Sequence, residues 1–194
     1  MVTDLRDRAQ AQARRGHVPG EPELWVFIFG DLVVFGLFFA VLGWQHVAEP
    51  AAYGAGQGLL HQGLGLVNTL LLLTSSAAVA SGLASARAGS LAAARRWYVG
   101  AIGLGGGFVV VKAIEYTSHA RAGIAPNADF FTYYFVFTGI HLLHVLVGLA
   151  CLAAAAKHCA RAEPVSVPLL EGLGVYWHLV DLLWIALFAL IYLV

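Results

Sequence analysis

The sequence predicts an all-α membrane protein with five spanning helices. The chain has 194 residues, of which 60% are hydrophobic and only 11% are charged, and its mean hydropathy is +0.77. A soluble domain carries about 25% charged residues, so most of this chain is too apolar to face water. A transmembrane helix needs about 20 apolar residues. Five segments meet this length, and together they make one domain, residues 24–194: 24–42, 64–83, 97–116, 130–156 and 175–194.

The distribution of basic residues predicts the orientation of these spans. A polar segment, residues 1–23, precedes the first span, and it contains no signal peptide, so we expect the first span to be retained. Across the loops after the first and third spans Arg121 is the only Lys or Arg residue, and the positive-inside rule therefore predicts a cytoplasmic N-terminus. The basic residues that share the N-terminal side are Arg6, Arg8, Arg14, Arg15, Arg87, Arg95, Arg96, Lys157 and Arg161. The net charge of +0 gives no reason to expect a nucleic-acid partner.

Ionisable side chains inside the spans are the strongest candidates for a functional site. Such groups are costly in hydrocarbon, so they normally face protein and serve a function. At about 1.5 Å per helical residue, the first-span carboxyl lies about 10 Å from the cytoplasmic edge. We expect most of the group to share one layer in the cytoplasmic half. The predicted network consists of Asp31, His141, His144, His178 and Asp181.

Spacing indicates which of these residues pair. His141 and His144 are three residues apart and share a helix face, as do His178 and Asp181. A carboxyl at this depth is stabilised when it is neutral or when it pairs with an imidazolium. Because Asp31 and His144 lie at similar depths on two long helices, we predict that they are hydrogen-bonded.

A second set of polar residues lies outside this layer. Lys112 and Glu115 are three apart near the far end of the third span, a spacing at which the two side chains can pair. Glu171 lies just before the predicted fifth span. We interpret it as a first-turn carboxylate that interacts with the positive end of the helix dipole.

The residues do not form a complete set of cofactor ligands. A structural zinc site needs four ligands, and His141-x-x-His144 supplies two. Two histidines on different helices, such as His141 and His178, could bind the two faces of a haem, but the sequence shows no complete ligand set for one. We therefore expect no catalytic residue, metal or cofactor in this chain. A proton relay is more plausible, although the predicted groups reach only into the cytoplasmic half.

Several motifs carry a family resemblance. The run Thr138-Gly-Ile-His141-Leu-Leu-His144-Val and the run Glu171 to Trp184, which includes Tyr-Trp-His178-Leu-Val-Asp181, resemble the subunit III family of haem-copper oxidases. The segment around Asp31, the Asn68-Thr-Leu run and Lys112-Ala-Ile-Glu115-Tyr resemble the other helices of that family. The resemblance extends through all five spans.

The resemblance implies a subunit with no redox centre of its own, located in the bacterial cytoplasmic membrane. Haem and copper are expected in a partner catalytic subunit, and this chain is expected to hold phospholipid, support assembly and sustain proton uptake. The buried acid of the family pairs with the second histidine of the signature, here Asp31 with His144. The family acid is typically Glu, one methylene longer than Asp31. By this resemblance the sequence begins at the third helix of larger members, so we expect it to lack their two additional N-terminal helices. The five-helix form with Tyr133-Tyr134 resembles the NorE-type branch linked to nitric oxide reductase.

The leading hypothesis is thus a non-catalytic membrane subunit of a cytochrome c oxidase or a nitric oxide reductase. The alternative is an independent proton or small-solute transporter, which would use the same buried Asp and His residues. A third hypothesis is a haem-binding membrane anchor. Buried ionisable groups alone do not choose among these classes.

Overall fold

A computed structural model describes residues 22–124, 129–161 and 165–194 of the chain. The helices, numbered in chain order, are α1 (Pro22–Ala48), α2 (Pro50–Gln57), α3 (Gln62–Arg87), α4 (Leu91–Arg121), α5 (Asp129–His158) and α6 (Val167–Phe188). A π-helical turn, Ala189–Leu193, continues α6 and is called the π segment below. The polar segment 1–23 lies outside the described residues except for its last two positions.

Five of these helices are long and apolar enough to cross a membrane, which confirms the predicted fold class. Each helix extends beyond its predicted apolar segment, because the polar residues at the span ends also adopt helical backbone. The largest difference is in α6, which begins at Val167 rather than at 175. Ser166 caps it by accepting a hydrogen bond from the Leu169 amide at 3.4 Å, and a proline occupies its first turn.

The spans form a bundle in which α6 occupies the centre. It packs against α1, α3 and α5, and it is the most buried of the five spans. The longest antiparallel contact joins α3 to α4, while α1 is the least buried span and presents large apolar side chains outward. The end of the bundle with the α3–α4 and α5–α6 loops carries most basic residues and is called the basic end; the other is called the opposite end.

Two glycines create the closest helix contacts around Trp177, which is fully buried on α6. A Cβ atom at Gly105 of α4 would lie 2.8 Å from the Trp177 ring, and one at Gly148 of α5 would lie 2.6 Å from it. Neither position can accept a side chain without a shift of the indole. The absence of Cβ atoms therefore allows α4, α5 and α6 to pack around one tryptophan.

At the opposite end, α2 and α3 bind the π segment. The Tyr53 hydroxyl donates to the Leu190 carbonyl at 2.7 Å, and the Gln62 amide donates to the Tyr192 carbonyl at 2.9 Å. Burial raises the pKa of Tyr53, so its hydroxyl keeps the donated proton at neutral pH. These bonds satisfy carbonyls near the end of a helix, which have no partner within the helix.

Candidate functional site: buried polar groups between the helices

The structure brings Asp31 and His144 together across α1 and α5. His144 Nε2 lies 3.5 Å from Asp31 Oδ1, and both side chains are largely buried. His144 Nδ1 donates to the Ile140 carbonyl at 2.8 Å, which orients Nε2 towards the carboxylate. The distance lies within ion-pair range and is longer than an ordinary hydrogen bond. The structure therefore brings the two predicted residues together, but at an ion-pair distance and without the predicted hydrogen bond.

His141 makes a different contact from its neighbour on the same helix face. It is fully buried, and its Nε2 donates to the Val180 carbonyl at 2.9 Å. Its ring also packs against Trp184 and Phe108, with centroid distances of 5.3 and 5.7 Å. His141 thus joins α5 to α6 instead of entering the Asp31 pair.

Ser76 of α3 contacts His178 of α6. Its hydroxyl lies 2.5 Å from His178 Nδ1. Asp181 is buried and His178 is partly exposed. The i,i+3 spacing of His178 and Asp181 was visible in the sequence, but the contact of His178 with Ser76 on another helix was not.

The predicted layer consists of three local groups in this structure. Asp31 pairs with His144, His141 bonds to backbone, and His178 contacts Ser76. Within the described ranges, no hydrogen bond or ion pair connects one group to another. Each group joins two different helices, so together they fasten α1 to α5, α5 to α6, and α3 to α6.

Lys112 and Glu115 form the most completely buried ion pair. Lys112 Nζ lies 2.9 Å from Glu115 Oε2, and both side chains are fully inaccessible. Lys112 also donates to the hydroxyls of Tyr192 at 3.0 Å and Tyr134 at 3.3 Å, and Tyr192 donates to Glu115 Oε1 at 2.6 Å. The Trp184 ring centroid lies 4.9 Å from Nζ. This set of residues is called the Lys112 cluster.

The interpretation of Glu171 as a first-turn carboxylate is wrong. Because α6 begins at Val167, Glu171 lies in the second turn of the helix. Its Oε1 accepts a hydrogen bond from Arg87 Nη2 at 2.7 Å, and the Glu171 side chain is buried while that of Arg87 is 55% exposed. Glu171 therefore bridges α6 to the end of α3. Sequence reasoning assigned Arg87 only to the topology.

The described residues contain no group of three His, Cys, Asp or Glu side chains placed to hold a metal ion. Their arrangement suits two other tasks. Carboxylate and imidazole groups on neighbouring helices hold helices in register, and they exchange protons when water or a partner reaches them. These features define the class of protein: a multi-pass membrane protein whose spanning helices are joined by buried acidic, basic and imidazole side chains.

Comparison with known proteins identifies the family. A family model described as cytochrome c oxidase subunit III matches residues 23–194. Cytochrome c oxidase subunit 3 of Synechocystis is 30% identical, and the alignment covers 100% of this chain and 85% of that protein. The same subunit of Corynebacterium diphtheriae is 29% identical over 86% of this chain and 84% of that protein. The chain belongs to the cytochrome c oxidase subunit III family, which confirms the resemblance seen in the sequence.

The family also includes quinol oxidase subunits among the relatives found. Cytochrome bo(3) ubiquinol oxidase subunit 3 of Pseudomonas putida is 26% identical, and the alignment covers 87% of this chain and 83% of that protein. The relatives therefore include subunits of oxidases named for two different electron donors, cytochrome c and ubiquinol.

Proposed function

We propose that this chain is a non-catalytic subunit of a haem-copper respiratory oxidase in a bacterial cytoplasmic membrane. The observation that carries the proposal is the family match over residues 23–194. The named relatives are subunits of cytochrome c or ubiquinol oxidases. In this proposal haem and copper reside in the catalytic partner, and the chain itself binds no redox cofactor.

Purification of the tagged chain from gently solubilised membranes tests this assignment. We expect a large haem-bearing polypeptide to co-purify, and we expect the chain separated from it to be colourless. A Soret band that stays with the isolated chain would contradict the assignment. Proton or solute transport by the chain alone in liposomes would instead favour the transporter.

We also propose that the chain retains phospholipid. An apolar slot of about 410 Å³ opens at the basic end between α1, α5 and α6, and Leu24, Val147 and Leu173 contribute to its walls. Clefts of this size with mostly apolar walls suit extended hydrocarbon ligands. Exposed Lys157 and Arg161 lie at the same end of the bundle, where they favour an anionic headgroup.

A substitution that fills the slot tests lipid retention. We expect Val147→Trp to remove at least one phospholipid from the purified complex, as measured by native mass spectrometry. Val110→Trp is the matched control, because Val110 is exposed on α4 and does not line the slot. Equal lipid content in the two variants would rule out the slot as the lipid site.

The proposed role in proton uptake rests on the Asp31–His144 pair. Tyr176 lines the slot and also donates a long hydrogen bond of 3.4 Å to the His144 carbonyl, so the slot ends close to the pair. We expect Asp31→Asn to shorten the catalytic lifetime of the complex without loss of its haem spectrum. An unchanged lifetime would restrict the pair to a structural role.

The terminal acceptor is a separate question. The oxidase names of the relatives favour oxygen, whereas the five-helix form and Tyr133-Tyr134 resemble proteins associated with nitric oxide reductase. The co-purified catalytic polypeptide distinguishes the two: oxygen consumption supports an oxidase, and nitric oxide consumption alone supports the second candidate.

A further inference from the structure

We propose that the outward face between α3 and α6, centred on His178, docks a transmembrane helix of the catalytic partner. This face is called the His178 seam. The inference rests on the proposed function, because it assigns a surface to the partner that the function requires. The helix that docks there would carry a side chain able to hydrogen-bond the imidazole, such as a hydroxyl or an amide.

The first observation is an open hydrogen-bonding position. His178 Nδ1 is bonded to Ser76, and its ring is only partly buried. Its Nε2 has no hydrogen bond within the described chain and is not among the enclosed polar atoms. This nitrogen is therefore open at the surface of a membrane-spanning helix. A polar group at this depth is stabilised by a protein partner, since lipid chains offer no hydrogen bond.

Several other outward polar groups already have hydrogen-bond or ion-pair partners within the chain. The outward hydroxyls of α3 are satisfied within the helix: Thr74 donates to Leu70, and Ser81 donates to Ala77. The second nitrogen of His144 is occupied by Asp31. Among the described histidines inside the predicted spans 130–156 and 175–194, His178 is the one with a ring nitrogen that is both unbonded and accessible.

The shape of the seam fits a helix side chain. A groove of about 130 Å³ runs between the two helices, with Val79, Ala80, Leu83, Gly174 and Val175 beside His178. Gly174 has no side chain, and a Cβ there would lie 3.5 Å from Val79, so the groove floor is close to van der Waals contact. A cavity of about 150 Å³ holds one benzene ring. The groove therefore suits one large side chain of a docked helix.

The rim of the seam carries a charge at the basic end. Arg87 lines the groove and is 55% exposed even though one of its nitrogens binds Glu171. A guanidinium has five N–H donors, so further donors stay available to an acceptor on the partner. By contrast, α1 exposes Phe29, Val33 and Leu37, and this all-apolar face suits lipid.

Site-specific photocrosslinking in the intact complex tests the proposal. Leu182 lies one turn after His178 and is 63% exposed, and Leu37 on α1 is 62% exposed. A benzophenone amino acid is placed at each position in turn, and products are identified by mass spectrometry. We expect position 182 to crosslink to the large haem-bearing polypeptide, and position 37 to give no such product.

The alternative outcomes separate the two proposals. An intact haem-containing complex with no product at 182, or with a product at 37 alone, overturns the seam and leaves the proposed function standing. If no haem-bearing polypeptide purifies with the chain, both proposals fail. A product at 182 that contains only lipid also overturns the seam.

Substitution of the histidine gives a second, independent readout. We expect His178→Ala to lower the fraction of chain that keeps its haem-bearing partner by about fivefold, the usual effect of one interhelical hydrogen bond. His178→Gln retains a donor and an acceptor, and it is expected to restore most of the binding. Equal retention in the wild type and the Ala variant would contradict the proposal. The thermal melting of the separated chain shows whether either variant unfolds.

Discussion

At the residue scale, Lys112 shows how a cation is accommodated between apolar helices. A lysine ammonium has three donors, and each has an acceptor here: Glu115, Tyr134 and Tyr192. Four aromatic rings lie within 5.5 Å of Nζ, measured to their centroids, and such contacts stabilise a cation further. The charge is therefore both paired and fully hydrogen-bonded.

A buried pair of this kind responds unevenly to substitution. We expect Lys112→Met to destabilise the protein by about 3–5 kcal/mol, because Glu115 is left as an uncompensated buried charge. The double variant Lys112→Met/Glu115→Leu should recover much of this loss. Thermal unfolding in detergent measures both. If the double variant is less stable than Lys112→Met, the loss of stability does not come from the unpaired charge of Glu115.

The Asp31–His144 contact leads to a prediction about side-chain length. The family resemblance implies Glu at this position, and the observed 3.5 Å separation leaves room for a longer side chain. We expect Asp31→Glu to shorten the contact and raise the melting temperature, while Asp31→Asn lowers stability by up to about 1 kcal/mol. A lower melting temperature for Asp31→Glu would show that the present distance is already optimal.

Sequence reasoning found partners that spacing or depth could reveal, and it missed the others for a physical reason. Lys112 and Glu115 are three residues apart, whereas Tyr192 is 80 residues from Lys112 and Arg87 is 84 residues from Glu171. Helical periodicity shows which residues share a face of one helix. It does not show which faces of different helices meet.

At the element scale, the packing of α5 depends on one glycine more than on another. Gly148 faces Trp177 at 2.6 Å, whereas a Cβ at Gly139 of the same helix would meet nothing within 4 Å. We expect Gly148→Ala to destabilise the protein by about 1–3 kcal/mol through overpacking. Gly139→Ala is the matched control and should be neutral or slightly stabilising. Equal melting temperatures would indicate that Trp177 moves freely.

The contacts of α2 make a second prediction at this scale. We expect Tyr53→Phe to cost about 1 kcal/mol and to increase amide hydrogen exchange in the π segment, because the Leu190 carbonyl loses its donor. Tyr133→Phe is a suitable control, since the Tyr133 hydroxyl makes no hydrogen bond among the described residues. Unchanged exchange near Leu190 would show that the π segment is held by its other contacts.

Hydropathy predicted the existence of the five spans but not their ends. The residues 167–174, Val-Pro-Leu-Leu-Glu-Gly-Leu-Gly, contain a proline, two glycines and a carboxylate, and such residues ordinarily indicate a loop. In the structure the Ser166 cap and the first-turn proline start a helix there. The short helix α2 was missed for a similar reason, because its sequence includes two glycines.

At the scale of the whole molecule, the bundle has a basic end and an opposite end. The positive-inside rule predicts that the basic end faces the cytoplasm. In a chain whose own two cysteines are replaced by alanine, we expect Ser90→Cys to react with a membrane-impermeant thiol reagent only after the cytoplasmic side is exposed. Ala122→Cys should react from the other side. The reverse labelling pattern would overturn the predicted topology.

The Lys112 cluster also has a consequence for how the protein is made. Tyr192 follows Glu115 by 77 residues. The ribosome must therefore synthesise α5 and most of the last span before it adds the tyrosine that completes the hydrogen bonding of the ion pair. During that interval Lys112 and Glu115 of the nascent α4 can pair with each other but lack the hydrogen bonds of Tyr192. We therefore expect stable integration of α4 to require the last span or a membrane chaperone, and we expect chains halted before Tyr192 to be degraded by quality-control proteases.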